Sequence, residues 1–332
     1  MRRVSISELV RYTGLSRATV DRAMNSRGGV HRRTLEIIDD AIKILSHTHA
    51  SSIPTQSVDI VVRVGRGMAK QLESAWNGMP IDSAFHDVYP ADESAMLSII
   101  DPLCDDLSRP LIITAKNTQR LTDRLREARL KGKRIIALVS DLASDARDGF
   151  VGIDDRAAGQ TAAYLIGCTL GDRPTTVAVV VGDTAFRCHE DREIGFRTGL
   201  RANYPKIVLR GEARGEDSPA KTREAVLQLL LENPAIGAIY NVGGGNKGLV
   251  EAAAEAGRSD DLLIVAHEAN EVTVPLLREN KISFTLAANP ADQLREAVRL
   301  ATMEAPDGNR DVTALDFSIY TQFNLPAFAT PQ

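Results

Sequence analysis

The sequence predicts a small all-α helix-turn-helix domain followed by an α/β domain of two lobes, each built on a doubly wound parallel sheet. Three observations lead there. A capped, glycine-interrupted helical pattern occupies the first 45 or so residues, and from Val58 short apolar runs alternate with longer amphipathic stretches. Ten such runs are more than one sheet comfortably holds.

With 332 residues the chain exceeds a single compact domain, and 43% apolar with 25% charged residues marks a globular rather than a disordered protein. No run approaches the ~20 consecutive apolar residues of a membrane span. Met1-Arg2-Arg3-Val4-Ser5 has no apolar core behind its positive charges, so a cytoplasmic chain without a membrane partner is expected. Cys104, Cys168 and Cys188 are too far apart for a metal knuckle and read as buried or incidental thiols. No metal site or cofactor is expected, and His47-x-His49 lacks a neighbouring ligand.

The net charge of −4 conceals an asymmetry: residues 1–49 hold nine basic and five acidic side chains, leaving an excess of acid in the rest. A basic head on an acidic body directs a polyanion to the head. Within it, Ser5-Ile6-Ser7-Glu8 has the form of a capping box, Ile6, Leu9 and Val10 follow at helical spacing, and Gly14 stops the helix. Ser16 suits the N-cap of a second helix through Thr19, Val20 and Met24. After the loop 25–29 a third helix carries Leu35, Ile38, Ile42 and Leu45 at a 3.6-residue period. In such units the second helix enters the major groove, and its exposed early positions here are Arg17, Ala18, Asp21 and Arg22.

The stretch Ser5-x-x-Glu8-Leu9-Val10-x-Tyr12-x-Gly14-Leu15-Ser16-x-x-Thr19-Val20-x-Arg22-x-x-Asn25, followed by Val30-x-x-x-Thr34, resembles the headpiece of the lactose/galactose repressor (LacI/GalR) family. The resemblance implies that Arg17, Ala18 and Arg22 read bases while Ser16, Thr19, Asn25, His31 and Thr34 lie near phosphates of double-stranded operator DNA. Two departures stand out. Asp21 replaces the usual serine and would either repel a phosphate or accept from a cytosine amine. The polar segment Ser46–Ser57 lacks the family's hinge-helix leucine, which leaves 1–46 as the headpiece and 47–57 as an atypical linker.

In the body, strands are expected at Val58–Val64, Ala84–Val88, Pro110–Thr114, Arg134–Val139, Phe150–Gly152, Thr176–Val181, Ile207–Arg210, Ala238–Tyr240, Leu262–Ala266 and Ile282–Leu286. Helices lie between them, from Met68–Trp76 to Pro290–Met303. The glycine-rich Val242-Gly243-Gly244-Gly245-Asn246-Lys247-Gly248 has neither dinucleotide nor P-loop spacing; it is either a structural turn or a close approach to something small. His189 and Glu190, near a helix start, read as a solvated cap, and no nucleophile elbow or protease-type cysteine signature occurs.

Val151-Gly152-Ile153-Asp154-Asp155-Arg156-Ala157-Ala158-Gly159, Arg187-x-x-x-x-Arg192-Glu193-x-Gly195-Phe196-Arg197, Ile239–Asn246 and His267-Glu268 are similar to the effector core of the same repressor family, itself similar to periplasmic sugar-binding proteins of type I. The resemblance implies two lobes joined by three crossing strands, lobe 1 over about 58–152 and 288–318 and lobe 2 over about 155–285. It also implies an effector cleft at the carboxyl ends of the strands.

Arg192 is the leading effector residue by that similarity, with a surface ion pair to Glu190 or Glu193 as its competing role. Asn241, Asn246, His267, Glu268 and Asp141 join it at strand ends, and Asn289 stands near where the family carries a glutamine. Trp76 belongs either to a stacking surface or, by its size, to the core. Arg63 and Arg66 would favour an acidic ligand, so sugar, polyol and sugar acid stay open.

The expected protein is a homodimeric DNA-binding repressor of the cytoplasm whose operator affinity a small polar effector changes. The alternatives are a solute-binding receptor without DNA function and an enzyme acting on a small polar metabolite.

Overall fold

The structure is a computed structural model that describes residues 9–10, 13, 15–24, 30–31, 34–35, 37–38, 57–79, 81, 83–89, 91–171, 174–303 and 312–329. It divides into two compact units, Met1–Gln56 and Ser57–Gln332.

In the first unit, helix α1 (Arg17–Met24) follows Ser16, whose hydroxyl accepts the Thr19 N–H at 3.2 Å. Val20 faces inward with Leu9 and Ile38, and Val10, Leu15 and Ala23 pack around them. Leu35, expected on the inner face, is 41% exposed, because Ile38 takes the core position on that turn. The Ser5–Glu8 capping box, Asn25, Ile42, Leu45 and the linker 47–56 lie outside the described residues.

Among the described residues the second unit contains two six-stranded sheets. The first comprises β1 (Val58–Val62), β2 (Ser83–Asp87), β3 (Leu111–Thr114), β4 (Ile135–Leu138), β5 (Gly149–Ile153) and β11 (Val312–Leu315), in the order β11-β5-β4-β3-β1-β2 and parallel throughout. The second comprises β6 (Thr175–Val181), β7 (Ile207–Arg214), β8 (Ile236–Asn241), β9 (Leu263–His267), β10 (Phe284–Ala287) and β12 (Ser318–Tyr320), in the order β12-β10-β9-β8-β6-β7. Only β12 runs antiparallel to its neighbour. The inner strands read as unbroken apolar runs because helices cover both faces of each sheet. Asp59, buried in β1, is tolerated through an ion pair with Arg109 at 3.0 Å.

Helices α2 (Arg66–Asn77), α3 (Glu93–Asp105), α4 (Gln119–Leu130) and α10 (Pro290–Thr302) flank the first sheet. Helices α5 (Asp155–Leu170), α6 (Arg187–Asn203), α7 (Pro219–Glu232), α8 (Asn246–Glu255) and α9 (Thr273–Arg278) flank the second. The chain crosses between the sheets three times, at β5 to α5, β10 to α10 and β11 to β12. Strands β11 and β12 have no counterpart in the sequence reading, and β12 places residue 318 with the second lobe rather than the first. Trp76 sits in the core beside Phe85, ring centroids 5.4 Å apart, with its indole N–H donating to the Ser83 hydroxyl.

Helices α5 and α6 approach through two reciprocal glycines. A Cβ on Gly159 would stand 2.0 Å from the Arg192 carbonyl oxygen, and one on Gly195 would stand 2.1 Å from that of Arg156. Both obstacles are backbone, which cannot swing aside. Gly159→Ala is therefore expected to lose about 1–3 kcal/mol of stability through overpacking, measurable as a lower denaturant midpoint at unchanged m-value.

Candidate functional site

A cavity of about 340 Å³ lies at the carboxyl ends of the strands, with walls from both lobes. The first lobe supplies Val64–Met68, Tyr89, Val139 and Ser140; the second supplies the start of α6, Asp217, the turn before α8, and Glu268, Asn270, Val272 and Thr273. Among the described residues five non-glycine positions have positive φ, and three of them, Val139 (66°), Asp217 (58°) and Glu268 (66°), line this cavity. Left-handed backbone is costly for a β-branched residue such as Val139, and strain of this kind concentrates at binding sites.

The lobes meet around the cavity. The Asn117 N–H donates to the Ala185 carbonyl at 2.8 Å and the Cys188 N–H to the Ser140 hydroxyl at 3.4 Å. Lys70 pairs with Glu271 at 2.8 Å, Lys116 pairs with Asp183, and the Gln71 amide donates to the Ala269 carbonyl. Phe186 and Cys188, from the second lobe, pack in the core cluster of the first.

Arg192 is 6% exposed and lines the cavity from α6. Its Nε donates to Asp155 Oδ1 at 2.7 Å and its Nη1 to the Val242 carbonyl at 2.9 Å, so the guanidinium is fixed in plane. The competing surface role falls away: Glu193 instead pairs with Arg197. Burial pushes the Asp155 carboxyl up to about 6, with Arg192 opposing that rise.

The other expected effector residues divide. Asn246 and Glu268 line the cavity, and Glu268 accepts from the Asn270 amide at 3.0 Å. Burial raises the Glu268 carboxyl. Asn241 does not reach the cavity; its amide donates to the Gly244 carbonyl at 2.9 Å and to Asn246 Oδ1 at 2.8 Å, bracing the glycine turn from beneath. Asp141 is occupied by a two-pronged ion pair with Arg147 and lies away from the main cavity. Asn289 caps α10 by accepting the Ala291 N–H at 3.0 Å, a local task that turns it from the cleft. His267 is buried behind the main cavity, 2.7 Å from the Tyr240 hydroxyl. Arg66 lines the cavity, whereas Arg63 donates twice to the Ala91 carbonyl.

Several polar residues of the site escaped the sequence reading, Ser140 among them. His189, expected as a solvated cap, is buried against the cavity. Asp217 follows β7, whose outer half Gly211–Arg214 alternates with charged side chains and was not legible as strand. Asp217 accepts the Gly244 N–H at 2.7 Å and faces His189 at 3.8 Å, so it pins the glycine turn, where Gly245 takes φ of 81°. Asn270 lines the cavity as well. Of the cysteines, Cys104 and Cys188 are buried as expected and Cys168 is exposed.

On the first unit, Ser16, Arg17, Ala18 and Arg22 are exposed around α1, with Thr19 half-buried; His31 is exposed and Thr34 half-buried. Arg22 Nε donates to the Ala18 carbonyl at 3.1 Å, which holds its side chain along the helix.

Two outcomes follow. Asp155→Asn leaves a buried guanidinium without its counter-charge and is expected to cost about 3–5 kcal/mol in chemical denaturation. Burial would lower the His189 imidazolium, but Cys188 and Asp217 outweigh it and raise the group to about 9. A histidine whose pKa is raised by folding stabilises fully below its unfolded value near 6.5 and loses that contribution as pH climbs through 9. The stability advantage of wild type over His189→Gln should therefore shrink between those pH values; a constant difference would refute the assignment.

The Periplasmic binding protein domain model matches residues 54–307. No curated protein matches the sequence. A glucose-galactose binding protein from Geobacillus stearothermophilus superposes with a TM-score of 0.71 at 17% identity, covering 81% of this chain and 99% of that one. An ABC transporter solute-binding protein from Burkholderia graminis in complex with D-arabinose gives 0.74 at 19%, covering 82% and 98%. One from Bacillus halodurans with bound myo-inositol gives 0.72 at 14%, covering 82% and 96%. These likenesses establish a two-lobed type I fold. By the match over residues 54–307, the chain belongs to the periplasmic binding protein domain family.

Proposed function

We propose that the second unit binds a small polyhydroxylated solute, a sugar or polyol, in the cleft between its lobes. The observation that carries this is the guanidinium of Arg192, clamped by Asp155 and the Val242 carbonyl at the wall of a 340 Å³ cavity. Pockets for small ligands start at about 300 Å³. A fixed fork donates to adjacent oxygens, and Ser140, Asn246, Glu268 and Asn270 surround the same space with donors and acceptors. Such mixed polarity suits hydroxyl groups, each of which both gives and accepts. The bound D-arabinose and myo-inositol of two similar structures support the class. The assignment is to binding rather than turnover: Asp155 and Asp217 are engaged in holding Arg192 and the glycine turn.

The proposal extends to the first unit, where one observation favours DNA reading. Helix α1 turns Val20 into a core and leaves Arg17, Ala18 and Arg22 on its outer side, following a serine-capped start. Arginines so placed suit guanine edges in a major groove. On this reading the chain is a regulator of the LacI/GalR type, a homodimer of the cytoplasm on a near-palindromic operator, and the solute is its effector. The family match begins at residue 54, so this part stands on α1 and the motif around it.

Thermal-shift titration of the full chain with D-arabinose, D-allose, myo-inositol and sugar acids tests the first part. Saturation at 100 times Kd should stabilise the protein by about 2.7 kcal/mol, and Arg192→Met should abolish the shift. No shift with any compound contradicts it. Selection from a random duplex pool tests the second: wild type should enrich a two-fold symmetric sequence, and Arg22→Ala should lose that preference. Retention that follows salt alone, with no enriched sequence, would leave a solute receptor without DNA function.

A further inference from the structure

Beneath the main cavity, where the lobes join, lies a smaller one of about 20 Å³. The two share Met68, Val139, Arg192 and Glu268 as walls, so the small cavity is an inward continuation of the cleft. Its remaining walls include His267 at the end of β9 and Gln293 from α10, which are 1% and 4% exposed. Among the described residues neither His267 Nδ1 nor Gln293 Oε1 has a hydrogen-bond partner. The great majority of buried polar atoms in proteins are paired, so two unpartnered atoms on residues that line one void point to a group that joins them.

The chemistry of that group follows from the protons. Tyr240 is fully buried, and its hydroxyl lies 2.7 Å from His267 Nε2, the partner within reach of its hydrogen. Tyr240 therefore donates, Nε2 accepts, and the proton of the neutral imidazole resides on Nδ1. Burial, reinforced by Arg192 and His189, holds His267 well below its ordinary pKa, which keeps the ring neutral. The small cavity thus offers one donor, Nδ1–H, and one acceptor, Oε1. A hydroxyl oxygen satisfies both at once, and a void of this size is on the scale of a single such group.

We infer that His267 and Gln293 form a specificity-determining subsite that receives one hydroxyl of the bound solute, which accepts from His267 Nδ1–H and donates to Gln293 Oε1. The inference rests on the sugar-class reading of the cleft and sharpens it: one hydroxyl must reach the inner end, beyond Arg192. Gln293 belongs to the first lobe and His267 to the second, so this hydroxyl bridges the lobes and is held only when they are together. The amide expected at Asn289 is supplied one turn later in α10, across from Ala287 and Ala288, whose short side chains leave the space open.

Calorimetric titration of the full chain with D-arabinose, D-allose and myo-inositol, then with the monodeoxy analogues of the tightest binder, tests this. One analogue should bind wild type about 100-fold or more weakly, as a site built around a hydroxyl rejects the compound lacking it. Gln293→Met should weaken the parent sugar at least tenfold and leave that one analogue unchanged. Equal weakening of the parent and every analogue, or none, overturns the inference and assigns the cavity to a resident water; the deoxy series on wild type decides the matter even if the variant misfolds. Absence of binding by all three parent compounds overturns the sugar-class reading and this subsite together, whereas binding without a coupled hydroxyl overturns the subsite alone.

Discussion

A buried ion pair between Arg192 and Asp155 organises the second unit. Taking both charges out of water is expensive, and their attraction repays that cost only with good geometry and added hydrogen bonds. The Nε–carboxylate bond of 2.7 Å and the second bond to the Val242 carbonyl meet that condition. The pair ties together three places: the crossing from β5 into α5, the start of α6, and the turn that follows β8. Gly159 and Gly195 are part of the same arrangement, because only helices without Cβ atoms at those points come close enough to bring Arg192 onto Asp155. A hydrophobic pair would pack α5 against α6 at less electrostatic cost, but it would place no charged donor in the cleft.

Closure around the cleft depends on weaker links. Lys70 and Glu271 are each about half exposed, and ion pairs of that kind contribute little in water. The backbone bond from Asn117 to Ala185 and the seating of Phe186 and Cys188 in the first lobe's core add specificity to the closed arrangement. With few bonds between the lobes among the described residues beyond the three crossings, a ligand that bonds to both would have a small free-energy difference to overcome. For the proposed solute, binding and the approach of the lobes would then be one equilibrium.

The sequence revealed the architecture more fully than the site. All ten expected strands lie where β1 to β10 are found, because buried parallel strands flanked by helices leave an unmistakable apolar rhythm. Strands β11 and β12 are four and three residues long and sit at sheet edges, where exposed positions such as Val312 erase that rhythm. Arg192, Asn246 and Glu268 were legible as cleft residues from local motifs. Asn241, Asp141 and Asn289 have the same kinds of side chain near strand ends, yet each is occupied by a neighbour a few residues away: Gly244 and Asn246, Arg147, and Ala291. Those short-range bonds decide direction, and residue type alone does not encode them. His189, Asp217 and Gln293 were missed for the converse reason: their partners and their cavity are brought together only by tertiary folding.

The first unit follows a different logic. Among the described residues its core gathers around Val20, Leu9 and Ile38, and Arg17 and Arg22 are exposed on the outer side of α1. If the first unit reads DNA as proposed, coupling between it and the cleft would make solute binding and DNA binding mutually dependent, since linkage is reciprocal. That dependence presupposes the cleft's central donor. The most direct test of the account is therefore calorimetry on Arg192→Lys with the sugar that stabilises wild type. Lysine keeps the charge and loses the planar fork. The variant is expected to fold and to bind at least about tenfold more weakly, roughly the loss of one charged hydrogen bond. Wild-type affinity in that variant would contradict it.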